Sequence, residues 1–253
     1  TTFLNVLMPF IPPNQRIISI EDTREIQLPS FLHWIPLTTR EPNPEGKGEV
    51  SMLDLLVNSL RMRPDRIIVG EIRRGEQAEV LFEAMHTGHS VYATLHADTA
   101  EQTYRRLINP PINVPELLVE SLHLITSTFR DRRKRIRRVF QIAEVIPQTD
   151  ATKSKINVMY AWNPASDKIR KVRESMRLID ELKLHTGMSD REFKKDLEDK
   201  EKILKWLYKK DVRTVDGVGK VVFDYYFDPQ KILEIVEKNK APTELIPASL
   251  LKV

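Results

Sequence analysis

Three short apolar runs in the first half of the chain each end in a side chain equipped for chemistry. Arg16 to Ile20 runs into Glu21 and Asp22, Ile67 to Val69 into Gly70 and Glu71, and Ser90 to Leu95 into His96. If the runs are strands of one parallel sheet, these ends share its carboxyl edge, where open α/β sheets bind ligands. Three carboxylates and an imidazole gathered there can hold a cation, orient a water and hydrogen-bond an anion. A single strand end is often charged simply because it reaches solvent. Three on one edge call for a further reason.

The elements that must position these groups read as strands alternating with helices, the pattern of a mostly parallel sheet with crossover helices. Thr1 to Met8 is apolar and is stopped by Pro9, Pro12 and Pro13. A Pro-interrupted loop with Gly46 and Gly48 leads to Ser51, which with Asp54 makes a capping-box start for a helix through Met62. Further helices are expected over Glu76 to Met85 and from Asp98, capped with Glu101, to the residues before Asn109. From Pro115 the pattern becomes a short helix, a run His123 to Phe129, and the strand-like segments Val139 to Ile146 and Ile156 to Trp162, whose short connections predict antiparallel pairing. Beyond Arg170 the chain is charged and helical. A helix is expected over Met176 to Leu184, and another runs from the capping box Ser189 and Glu192 to Lys209. Gly217 and Gly219 should interrupt the helical pattern before a strand at Val221 to Phe227, and Asp228 with Pro229 should open a last helix through Val236. The fold class is therefore α/β, divided as a core over 1–170 and a charged helical region over 171–253.

With 253 residues, 41% of them hydrophobic, the chain can bury a sizeable core, which excludes a mainly disordered protein. It contains no cysteine, so thiol nucleophiles, disulfide frameworks and Cys-based zinc sites are excluded. The longest uncharged stretch, Thr1 to Gln15, is too short and too rich in proline for a bilayer span. Without a basic n-region there either, a cytosolic protein is the expectation. The net charge of +4 is local: seven basic residues and one acid lie between Arg130 and Arg138, and the rest of the chain is slightly acidic.

The segment Arg63-Pro64-Asp65-Arg66-Ile67-Ile68-Val69-Gly70-Glu71-Ile72-Arg73 has the form of a Walker B strand, whose acid can hold magnesium and orient the water that attacks a γ-phosphate. His86-Thr87-Gly88-His89 and His96 invite a metal reading. A strand rising about 3.3 Å per residue separates His89 from His96 by roughly 20 Å, so they cannot share an ion. His96 lies at the productive edge, while His89, at the opposite end, is as well explained by structure.

Together these residues resemble the ATPases of type II and type IV secretion, type IV pili and the archaeal archaellum, over roughly Thr1 to Pro147 and most closely the archaeal members. Ile20-Glu21-Asp22-Thr23-Arg24-Glu25 is similar to the family's acidic box. Val69-Gly70-Glu71-Ile72-Arg73 resembles its atypical Walker B, and Ala84-Met85-His86-Thr87-Gly88-His89 through Thr94-Leu95-His96-Ala97 its His box. The resemblance implies a RecA-like P-loop NTPase core, ATP and Mg2+ as cofactors, and a cytoplasmic homo-hexamer. Such a motor would sit on the inner face of the membrane through a membrane-platform protein. By the same resemblance Glu71 positions water, Thr1 and Asp22 hold magnesium, and Glu21 makes water contacts. His96 meets the γ-phosphate, while Thr2 and Arg73 belong to the phosphate-binding set and His89 is a weaker candidate. For Arg73 alone, a helix-surface salt bridge is the simpler reading.

The family's phosphate loop and N-terminal domain are missing from this sequence, which opens at Thr1-Thr2-Phe3-Leu4-Asn5, residues that look like those following the loop's lysine. On the residues alone, Thr1 and Thr2 merely start a helix. The opening fits either a truncation or the part downstream of a spliced-out insert, and the chain by itself is expected to hydrolyse ATP poorly. A rival class is a nucleic-acid-binding protein using Arg130 to Arg138. That patch contains no aromatic residue and no recognised DNA-binding motif, so nucleic acid is not the expected partner.

Overall fold

The computed structural model describes residues 1–147 and 155–251. Four parallel strands, β1 (Arg16–Glu21), β2 (His33–Thr38), β3 (Arg66–Val69) and β4 (Ser90–Ala93), form a sheet of order β2-β1-β3-β4. Its two central strands carry the buried runs Ile17, Ile18, Ile20 and Ile67, Ile68, Val69 because both faces are covered. Alternate side chains serve the two sides. Ile18, Ile20, Ile67 and Val69 meet helices α2 (Met52–Leu60) and α3 (Gly75–His86), whereas Ile17 and Ile68 join Leu4 and Met8 from α1 (Thr2–Leu7) and the 3-10 turn Met8–Phe10. The Ser51 and Asp54 capping box is present at α2.

Strand β2 lies in the stretch read as a Pro-interrupted loop. Pro36 cannot donate to a ladder, but β2 is an edge strand and needs only one hydrogen-bonded side. Helix α4 (Ala100–Ile108) is capped by Thr99, which accepts from the Gln102 amide at 3.1 Å, and not by Asp98. Helix α5 (Glu116–Val119) then leads to a second sheet, β5 (Leu124–Asp131), β6 (Ile136–Ile146), β7 (Lys155–Asn163) and β8 (Lys168–Lys171), antiparallel throughout as expected. The basic segment Arg130 to Arg138 forms the turn of the β5–β6 hairpin and the strand ends that flank it. Phe129, Phe140 and Trp162 pack together behind it, with Phe129 and Trp162 stacked at 5.2 Å, so strand pairing supplies the aromatics absent from the segment itself.

The remaining helices are α6 (Leu178–Thr186), α7 (Asp190–Lys209), α8 (Val215–Phe227), α9 (Pro229–Glu237) and α10 (Ala248–Leu251), and α7 to α10 pack around Ile203, Trp206, Leu207, Val221 and Ile232. The expected break at Gly217 and Gly219 and the strand after it do not occur, since α8 is continuous. Its glycines are contact residues. A Cβ at Gly219 would fall 2.6 Å from Pro29 and one at Gly217 2.5 Å from the Thr214 hydroxyl. Burial of Val221 in the helical core overrides its β preference.

Candidate functional site at the carboxyl edge of the parallel sheet

The parallel register aligns the strand ends, so Glu21 at the end of β1, Asp22 just after it, Glu71 beyond β3 and His96 beyond β4 lie on one edge. Asp22, Glu71 and His96 are drawn together. Arg73, in the loop before α3, donates from Nη1 to Asp22 Oδ2 at 2.6 Å and from Nε and Nη2 to Glu71 Oε2 at 2.9 and 2.8 Å. The other Glu71 oxygen lies 3.2 Å from His96 Nε2. Arg73 is thus a bridge inside the site, not a salt bridge on a helix surface. Its hydrogen bond, together with its charge and those of His96 and Arg106, holds the Glu71 carboxyl below the usual glutamate range against the opposing effect of burial.

Glu21 turns inward and is only 2% exposed. Its Oε1 accepts from the amides of Glu25 and Ile26 at 2.9 Å each, which shapes the acidic loop, while Oε2 is buried without a partner. Asp22 is half exposed and also accepts from the Thr39 hydroxyl at 3.1 Å.

Three further residues position these groups. A Cβ at Gly70 would come 3.2 Å from Glu21 Cγ, so the residue before Glu71 must be small for Glu21 to pass beside it. The loop carrying His96 is tied at two points. The Thr94 hydroxyl donates to the Gly70 carbonyl, and Arg106 Nη1 on α4 donates to the His96 carbonyl at 2.6 Å. Arg106, Gln102, Asp98 and Thr128 line a polar cleft of about 500 Å³ that continues from His96. Nothing in the sequence marks Arg106 for this, because its partner is a backbone atom ten residues away.

Thr1 and Thr2 open α1, with the Thr1 carbonyl accepting from the Asn5 amide at 2.9 Å, and neither side chain is bonded to Asp22, Glu71 or His96. His89 stays at the opposite end of β4, its Nδ1 3.2 Å from the Ala84 carbonyl at the end of α3, as its spacing from His96 required.

Among the described residues no three His, Asp or Glu side chains are grouped to hold a metal by themselves. The edge fits a magnesium ion that arrives with phosphates, since Mg2+ takes only one or two carboxylates and completes its shell with phosphate and water. The half-exposed Asp22 can supply one, and the orphaned Glu21 Oε2 can accept from a water.

Residues 1–139 match the model of the Type II/IV secretion system protein family, and the chain belongs to that family. It is 36% identical to protein MJ1287 of Methanocaldococcus jannaschii over 87% of this chain and 82% of that one. Against the type IV secretion system protein PtlH of Bordetella pertussis it is 39% identical, over 42% of this chain and 32% of that one. Among solved structures it is similar to the VirB11 ATPase of the Brucella suis type IV secretion system, with a TM-score of 0.46 and 28% identity over 56% of this chain and 43% of that chain. The chain therefore spans most of MJ1287 and less than half of PtlH and VirB11. No helix among the described residues is long and apolar enough to cross a membrane.

Proposed function

We propose that this chain is the part downstream of the phosphate loop of an ATP-hydrolysing motor for type II or IV secretion, type IV pilus or archaellum assembly, with a RecA-like core over 1–170. The single observation that carries the reading is the chain of contacts Asp22, Arg73, Glu71, His96 on the ligand-binding edge of the sheet in a member of this family. Glu71, kept ionised by Arg73, accepts a hydrogen bond from the attacking water and aligns it. In phosphoryl transfer such alignment and charge neutralisation carry most of the catalysis. His96, tethered through Arg106, presents its ring beside that water to a γ-phosphate oxygen. Thr1 and Asp22 would hold magnesium, which neutralises phosphate charge when bound, and Thr2 belongs with the phosphate contacts. The assembly in this reading is a homo-hexamer on a membrane-platform protein at the cytoplasmic face.

Turnover measured in a form of the protein that includes a phosphate loop tests the assignment. Glu71→Gln should lower kcat by roughly a thousandfold with the nucleotide Kd little changed, the size of effect seen when one transition-state contact is removed. Full activity in that variant would remove Glu71 from the chemistry.

A further inference from the structure

The basic hairpin is not used by the reading above. Arg130, Arg132, Arg133, Lys134, Arg135 and Arg137 are all exposed, and among the described residues none has an ion pair; only Arg138 does, with Asp167 at 2.6 Å. Arg130 and Arg137 stand directly opposite each other across the strands, a like-charge pairing that destabilises a ladder. The tip is nevertheless firmly built. Asp131 Oδ1 accepts from the amides of Arg133 and Lys134 at 2.8 and 3.0 Å, and the stacked Phe129 and Trp162 support it from behind. Phe129 and Trp162 stack on each other, and the Trp162 ring nitrogen donates to Asp167 at 2.9 Å. A free stacking platform for bases is not on offer. What remains is a stiff, narrow, cationic projection suited to an acidic surface of matching size.

Such a surface exists on the same chain. Glu76, Glu79 and Glu83 share the exposed face of α3, whose opposite face buries Ala78, Leu81, Phe82 and Ala84. Spacings of three and four residues place the glutamates in a row about 10 Å long. They form no ion pair among the described residues, and like charges at these spacings weaken a helix. Two uncompensated arrays of opposite sign that do not meet within one chain can neutralise each other between chains.

We propose that the tip of the β5–β6 hairpin docks on the Glu76, Glu79 and Glu83 face of α3 in a second copy of this chain. The contact joins two different patches, so it is head-to-tail, the kind that closes into rings. In this the inference rests on the ring assembly of the proposed function. It also brings a neighbour's cations onto the helix that begins just after Arg73, linking subunit contact to the Asp22 and Glu71 bridge.

Sedimentation of the chain at low and high ionic strength tests it, using two triple variants: Arg132→Glu/Arg133→Glu/Lys134→Glu and Glu76→Lys/Glu79→Lys/Glu83→Lys. Wild-type protein should self-associate in a salt-sensitive way, and each variant alone should lose at least about tenfold in affinity. Mixing the two variants should restore association, since every contact in an alternating assembly is then between opposite charges. Circular dichroism guards against misfolding, and recovery on mixing requires both variants to be folded. Monomeric wild-type protein, unchanged association of either variant, or no recovery on mixing would overturn the proposal, even if the tip proved to bind an oligonucleotide or anionic vesicles. The Glu71→Gln turnover measurement is unaffected by any of these outcomes, so failure of the contact and failure of the motor reading are told apart.

Discussion

Glu144 and Glu71 are both ionised carboxylates held by several partners, yet the protein treats them in opposite ways. Glu144, on β6, is completely buried. It accepts from Asn157 Nδ2 and Ser175 Oγ at 2.8 Å each and from the amides of Met176, Arg177 and Leu178 at 2.5 to 3.3 Å. These amides run from just before α6 into its first residue, so one carboxylate caps the helix and fastens it to the antiparallel sheet. Arg177 completes the joint by donating to the carbonyls of Glu120, Leu122 and Val145. Among the described residues Glu71 has no amide partner; its contacts are with two side chains, Arg73 and His96, both largely exposed. A carboxylate saturated by fixed backbone donors cannot take another ligand, whereas one held by movable cations can exchange them for water, metal or phosphate. The difference separates a structural acid from an available one more sharply than burial or charge alone.

The largest effect expected in breaking this contrast is at Glu144. Its replacement by Ala strands several buried donors and should cost about 3 kcal/mol of unfolding free energy, measured by urea denaturation. Burial alone would raise this carboxyl, but its amide and side-chain donors outweigh that and hold it below the usual range. The stability it contributes is therefore complete above the unfolded glutamate pKa and is lost as pH falls through the lower folded value. The Glu144→Ala protein should lack that part of the acid transition. Unchanged stability would mean that the cap is idle.

A middle-sized effect belongs to Gly70→Ala. The neighbouring Glu21 stem must give by a few tenths of an ångström, at a cost of about 1 kcal/mol, and the strain falls on the residue next to Glu71. In a form with a phosphate loop, kcat should drop further than the melting temperature suggests. The smallest effect is at Asp167, a half-exposed acid pulled down to about 2, first by its hydrogen bond from Arg138 and then by that from Trp162. Stability from this pair is complete above the ordinary aspartate pKa and is lost as pH falls from there through the folded value of about 2. The two-dimensional NMR carboxyl titration of Asp167 should run well below the ordinary aspartate range.

Much of the edge could be read from the chain because the signals are local. An apolar run ending in an acid or histidine identifies a strand and its ligand-facing end together, and the capping boxes at Ser51 and Ser189 are complete within four residues. What escaped depends on contacts remote in sequence. Pro36 lies in the stretch read as a Pro-interrupted loop and fits a strand only because β2 is at the sheet edge, and Gly219 of α8 looked like a breaker because Pro29 and Phe31, which require it, lie far upstream. The donors to Glu144 from Ser175 onward are more than thirty residues away and are mostly backbone atoms, which no residue pattern advertises. Arg106 is hidden for the same reason.

The close pass of Glu21 beside Gly70 has an evolutionary corollary. The two positions share one volume, so a relative that carries a larger residue before its Walker B acid should carry a shorter one in place of Glu21. Where the stem at that place is long, only glycine should precede the acid. Gly70 would then be a record of its neighbour's size, inherited as a pair.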